Sequence, residues 1–296
     1  GGDSILSMRI VSLAAKAGLK LTTRLIFQHP TVAELAAVAT RATLGAAEFV
    51  ASSGPLPLTP IQKDFFAQRK DDQDQYNQAV LLDVPADVDP VLLRQALRHA
   101  VKWHDALRLR FRAGESGWIQ EVVDDPEIPV GVVEIGRDQL AQHVAHAHAS
   151  LNLSDGPVVR ADLFRVDEGR SLRLLLVAHH LVIDGVSWGA LLETVYDAYT
   201  RLRHGQAPEF AGGGATWTAW TRAISDWAGS GAADADLAHW QALARATLPG
   251  LPLDRAATAA ANSVSSAETI VVELGESATA ALLGAAPRGY DAQIND

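Results

Sequence analysis

Residues 171–188, SLRLLLVAHHLVIDGVSW, constrain the fold more than any other stretch. Leu174 to Ala178 is apolar without interruption. A strand of that kind must be covered on both faces, so it belongs in the middle of a sheet. A sheet covered by helices is a layered arrangement of both element types. Successive strand residues point to opposite faces, so His179 and His180 meet different surroundings. One should face the core and the other a cleft. The turn IDG then leads into SWGALLETVYDAYTRLRHG, which reads as a strong helix ended by Gly205. The start of that helix brings unpaired amides and the positive end of its dipole to the exit of the strand.

Histidine titrates near neutral pH and can take or give a proton there. An isolated pair of histidines is ordinarily a pair of core or turn residues with hydrogen-bond partners. The tighter string HH-x3-D-G-x-S-W points instead to a site. An aspartate buried at such a turn requires a cation. Arg108 and Arg110 alternate with Leu107, Leu109 and Phe111 in a neighbouring strand candidate and can supply one. His143, His146 and His148 share one helix but have no carboxylate at ligand spacing, so no metal is expected there. His99 and His104 read as helix-packing or helix-end residues, and the seven tryptophans as packing contacts. Ser187 lies in no G-x-S-x-G elbow, which argues against a serine hydrolase.

Composition removes other classes. The 296 residues are 48% hydrophobic, enough for one large core or two smaller ones. A net charge of −10 without a basic stripe argues against a nucleic-acid partner. The absence of cysteine excludes disulfides, thiolate metal sites and a cysteine nucleophile. No apolar run reaches the roughly 18 residues needed to span a bilayer. The opening GGDSILSMRI lacks the layout of a secretion signal, so the expected location is the cytoplasm.

Along the chain, residues 1–43 read as a small helical unit, with Ile5, Met8, Val11 and Leu13 near helical spacing and Gly18 as a stop. Thr31 and Glu34 form a capping-box pattern. Residues 44–56, ending in SSGPLP, read as a linker, and a second domain covers 57–296. In that domain YNQAVLLDV, WIQEVV, VVRADLFRV and ETIVVEL read as strands. DPVLLRQALRHAVKWH, RDQLAQHVAHAHASL and SATAALLGAA read as helices. The fold class is α+β.

HHLVIDGVSW resembles the HHxxxDG motif of the condensation-domain superfamily of non-ribosomal peptide synthetases, whose fold is like chloramphenicol acetyltransferase. PLTPIQKDFFAQ at 57–68 resembles the opening motif of that superfamily, and KWHDALRLRF at 102–111 its second motif. GYDAQIND is similar to the segment that leads into the second lobe. GGDSI resembles the phosphopantetheine attachment site of a peptidyl carrier protein, in the form that precedes epimerization domains. The DGVSW ending and the YNQAVLL strand are similar to the epimerization branch.

The resemblance implies a lobe with a mixed sheet and flanking helices, preceded by the C-terminal portion of a helical carrier. It implies that Ser4 bears 4'-phosphopantetheine, and a phosphate there gains from the helix amides. His180 is then the catalytic residue, with His179, Asp184, Gly185, Trp188 and Arg108 in structural support. Asp184 is expected to pair with Arg108, and Gly185 to permit the tight turn. Gly189 departs from the arginine common after this tryptophan. The implied reaction inverts the Cα of a carrier-bound L-residue. The implied partners are an upstream adenylation domain and carrier, a downstream condensation domain, and a second lobe that supplies a glutamate beyond residue 296. The 296-residue chain alone is therefore expected to be inactive or nearly so. The alternatives are a condensation domain, which uses the same histidine to join two carrier-bound residues, and a binding lobe that only docks a carrier.

Overall fold

The computed structural model describes residues 4–41, 54–68, 72–115, 117–166, 171–209, 216–246 and 268–292. The chain forms two compact units, 1–251 and 252–296.

The first unit opens with α1 (Ser4–Lys16), stopped at Gly18, whose φ of +75° suits a residue without Cβ. β1 (Leu19–Lys20), α2 (Thr23–Gln28), α3 (Val32–Val38) and β2 (Thr40–Arg41) follow. The expected capping box is present: Thr31 Oγ1 accepts from the Glu34 amide and the Glu34 carboxylate accepts from the Thr31 amide. Among the described side chains from 6 to 41, Ser7 alone is buried, so this stretch has little core of its own.

β3 (Gly54–Leu56) pairs antiparallel with Gln120–Val122, which corrects the reading of the whole of 44–56 as linker. The remainder of that stretch, 44–53, lies outside the described residues. α4 (Pro60–Gln68) buries Gln62, Phe65 and Phe66. β4 (Asn77–Val84) leads to α5 (Pro90–Trp103). The Asp89 side chain caps α5, and Leu93, Ala96, Leu97, Ala100 and Val101 form its buried stripe. β5 (Leu109–Gly114), β6 (Gly117–Val122), β7 (Val130–Ile135) and α6 (Leu140–Ala149) come next. β8 (Val159–Val166) and β9 (Ser171–His179) pair antiparallel, with Val166 opposite Ser171. Residues 167–170 (DEGR) between them lie outside the described residues. α7 (Ser187–Arg203), α8 (Trp217–Gly229) and α9 (Asp234–Arg245) complete the described part of the unit.

The strands form two larger sheets. One has the order β3-β6-β5; the other is mixed, β4-β9-β8-β7, with β7 parallel to β8 and the other pairs antiparallel. β9 is central and buried on both faces, as its apolar run requires. Leu172, Leu174, Leu176 and Ala178 join the main core with α5 and α7 residues such as Leu97 and Leu191. Leu175 and Val177, on the opposite face, pack with Ala147 of α6, Phe164 and Ile135. His104 ties the two helices of the first face together, its Nε2 donating to Thr194 Oγ1 at 3.1 Å. Burial holds that imidazole below its ordinary pKa.

In the second unit the expected strand ETIVVEL is irregular. Ile270, Val271 and Val272 are 75–87% exposed, and no strand pairs with them among the described residues. Alternation supplies a face, but a strand also needs a partner. α10 (Glu276–Ala280), a π turn at Ala281–Ala285 and α11 (Ala286–Tyr290) follow, in keeping with the expected helix.

Candidate active site

The histidine pair sits at the end of β9. His179 is the last strand residue and is fully buried. Its Nε2 donates to the Gln73 carbonyl at 2.7 Å, while its Nδ1 accepts from the Leu181 amide at 3.1 Å. Phe65 meets the ring edge-on, with centroids 5.8 Å apart. Both ring nitrogens thus bond backbone groups at the strand end, and full burial denies the ring access to a substrate.

His180 follows the strand and is only half-buried. Its Nδ1 lies 2.9 Å from the Ile183 carbonyl, which can only accept, so Nδ1 carries the proton. Its Nε2 lies 2.9 Å from Gln78 Nε2. Tyr76 stacks on the ring, with centroids 4.8 Å apart and planes 18° from parallel. Alternation therefore separates the two histidines as the sequence implies: a buried structural ring and a ring with access to its surroundings.

The turn after His180 holds itself. Asp184 Oδ1 accepts from Ser187 Oγ at 2.6 Å, from the Ser187 amide at 2.7 Å and from the Val186 amide at 3.1 Å. Partial burial raises the Asp184 carboxyl, but the Ser187 and Val186 hydrogen bonds outweigh it and hold the group below its ordinary range. The carboxylate thus occupies the amides at the start of α7.

The expected Asp184–Arg108 pair is not formed. Arg108 is 2% exposed, and its Nη1 donates to the Val123 carbonyl at 2.7 Å and to the Asp124 carbonyl at 3.4 Å. The reason is topological: Arg108 immediately precedes β5, which lies in the three-stranded sheet, whereas the histidines end β9 of the other. LRLRF also alternates differently from expectation. Leu107 and Arg108 belong to a 3-10 turn, and Arg108 and Arg110 are both buried. Gly185 needs correction too. It has no positive φ, and a Cβ there would meet nothing within 4 Å, so the turn does not require glycine.

Trp188 is 7% exposed, and its Nε1 donates to Gln78 Oε1 at 3.0 Å. Gln78, which no sequence motif singles out, thus bridges Trp188 and His180. Its signal is a polar residue on the inward face of β4, in phase with Val80 and Val84. A second polar group is equally hidden in the sequence. Asp105 is 5% exposed and accepts from the amides of Trp217 at 2.8 Å and Thr218 at 3.0 Å, anchoring the start of α8. Among the described residues, no group of three or more His, Cys, Asp or Glu is placed to hold a metal. No helix among them is long and apolar enough to cross a membrane.

The family model described as Condensation domain matches residues 52–296. The chain belongs to the condensation-domain family. A second model, described as Phosphopantetheine attachment site, matches residues 1–39. The condensation-family chain is 36% identical over 305 residues to one of the linear gramicidin synthase proteins of Brevibacillus parabrevis, covering 100% of this chain and 6% of that protein. It is 35% identical over 309 residues to chondramide synthase of Chondromyces crocatus, covering 100% and 8%. The chain therefore spans less than a tenth of the length of these relatives. The epimerization domain from the third module of tyrocidine synthetase B superposes with a TM-score of 0.64 at 29% identity, over 70% of this chain and 48% of that one. The starter condensation domain of rhizomide synthetase shares the fold, with a TM-score of 0.56 at 23% identity over 64% and 48%. The expected α+β architecture and the non-ribosomal peptide synthetase family are thus borne out.

The phosphopantetheine-attachment segment implies a covalent 4'-phosphopantetheine. The backbone fits it: Ser4 opens a 13-residue helix, whose start favours a phosphate.

Proposed function

We propose that the chain is part of an epimerization domain, 57–296, preceded by the C-terminal portion of its carrier, 1–43. Ser4 would carry the phosphopantetheine thioester. His180 would take the proton from the Cα of the tethered residue. The C–H electron pair passes into the thioester enolate, and a proton delivered to the opposite face gives the D-residue. That second delivery needs an acid, which the resemblance assigns to a glutamate of the second lobe. His180 Nε2 suits the first step because its proton sits on the other nitrogen, held by the Ile183 carbonyl. The observation that carries the epimerase reading is the likeness to the tyrocidine synthetase epimerization domain, and Trp188, which the resemblance ties to the epimerization branch, supports it.

The test uses the complete parent module, loaded with its L-amino acid in deuterated water, followed by hydrolysis of the thioester. Deuterium at Cα with D product is expected, and His180→Ala should abolish both. If neither appears in the wild-type module, the epimerase reading fails. The second reading, peptide-bond formation, draws on the match to the Condensation domain model itself. It predicts dipeptide on the downstream carrier when both carriers are loaded, with no deuterium at Cα.

A further inference from the structure

Three hydrogen bonds in series decide how His180 presents itself. An indole N–H can only donate, so Trp188 Nε1, 3.0 Å away, turns the oxygen of the Gln78 carboxamide toward itself. The amide NH2 must then face His180 Nε2 at 2.9 Å. An NH2 can only donate, so Nε2 is the acceptor and bears the lone pair. From the other side, the Ile183 carbonyl at 2.9 Å requires a proton on Nδ1. Two independent ends of the chain of hydrogen bonds thus select the same tautomer.

The placement of Gln78 adds a second observation. It lies opposite Ala178 in the β4–β9 register, on the face whose other members, Val80 and Val84, pack against the main core. A carboxamide on an apolar face is retained at a cost unless its hydrogen bonds are made, and here both ends are made.

We propose that Gln78, oriented by Trp188, is a positioning residue for the reaction of His180. It holds the imidazole with Nδ1 protonated and Nε2 unprotonated, the Nε2 lone pair engaged by the carboxamide NH2 until the reacting atoms take that group's place. A proton arriving at Nε2 meets an NH2 group and no acceptor, which favours passing that proton on. With the indole removed, the carboxamide can turn and offer its oxygen to Nε2 instead. This inference rests on the reading of His180 as the base.

The tautomer can be measured without any reaction. Long-range proton–nitrogen correlation spectra of the full chain, labelled at histidine, should show Nδ1 proton-bearing and Nε2 unprotonated at roughly pH 8, above the ordinary range of histidine. Gln78→Glu places an acceptor at Nε2 and should make that nitrogen proton-bearing at the same pH. In the parent synthetase, Gln78→Glu should lower kcat for Cα deuterium exchange about 100-fold, the lower end of general-base contributions, with KM for the loaded carrier unchanged. Should Gln78→Glu not fold, Gln78→Met gives a second readout: the Trp188 Nε1–H should exchange with solvent at least tenfold faster. A proton on Nε2 in the wild type overturns the inference. So do unchanged ring shifts in folded Gln78→Glu, or unchanged indole exchange in Gln78→Met. A wild-type module that forms peptide bonds without exchanging Cα refutes the epimerase reading, while the spectra still decide the tautomer.

Discussion

A double-mutant cycle at Asp184 and Arg108 separates two accounts of the turn after the histidines. Asp184 makes its three short hydrogen bonds within residues 184–187, and Arg108 makes its own to the backbone carbonyls of Val123 and Asp124. Asp184→Ala removes a cap-like acceptor from an exposed turn, a loss of about 1.5 kcal/mol. Arg108→Ala empties a fully enclosed site and leaves the Val123 carbonyl without its donor, a loss of about 3 kcal/mol. With no shared partner the two losses add, so the coupling energy should be below about 0.5 kcal/mol. A buried Arg–Asp pair would instead couple by about 3 kcal/mol or more. Urea denaturation of the four proteins, with the indole fluorescence of Trp188 among the signals, measures the cycle. Coupling above about 1 kcal/mol would refute the assignment of Asp184 to its own turn.

The same residue makes a pH prediction. Its carboxyl is lowered in the folded protein, so its contribution is complete above the unfolded value of about 3.9 and disappears as pH falls through the lower folded value. The Asp184→Ala penalty should hold steady from about pH 5 to 8 and shrink below about pH 4.

Asp105→Ala should destabilise the first unit by about 3 kcal/mol, because it strands the buried amides of Trp217 and Thr218; faster hydrogen exchange at those two amides, ahead of the rest of α8, is the check. Gln120→Leu should cost about 3 kcal/mol by denaturant titration, since its fully buried carboxamide serves the Pro57 carbonyl, Gln62 Nε2 and Trp217 Nε1. Gly156→Ala should lower the melting temperature by roughly 5 °C. Gly156 has a φ of +83°, and a Cβ would fall within 2.6 Å of the enclosed Arg110 guanidinium; an unchanged melting temperature would refute both the backbone strain and the clash.

What was legible in the sequence was what repeats along it. The double-faced apolar run placed β9 at the centre of its sheet, and the sequence marked α5 and α7 as helices, which the structure lays over one face. The capping pattern at Thr31 and Glu34 needed only local geometry. What failed depended on which strand lies beside which. Arg108 and His180 are distant in sequence, and nothing local says that their strands enter different sheets. ETIVVEL has the right alternation, but pairing is not encoded by alternation alone. Gln78 was visible only as one polar residue among apolar neighbours on its face. Its meaning came from the register with β9 and from an indole 110 residues away.

The setting of β4 against β9 works like the notch of a vernier. Asn77 stands opposite His179 and Gln78 opposite Ala178. A one-residue slip exchanges the strand's two faces, so Gln78 would turn outward and its neighbours Asn77 or Ala79 would turn in. Most point changes along the outward side of β4, at Ala79, Leu81 and Asp83, leave that notch where it is. An insertion or deletion of one residue within β4 after Gln78 would move it, and would silence the imidazole while the rest of the sheet remained paired. The reactivity of His180 is in this sense indexed by strand alignment, and length variation in β4 is a coarser hazard to it than substitution.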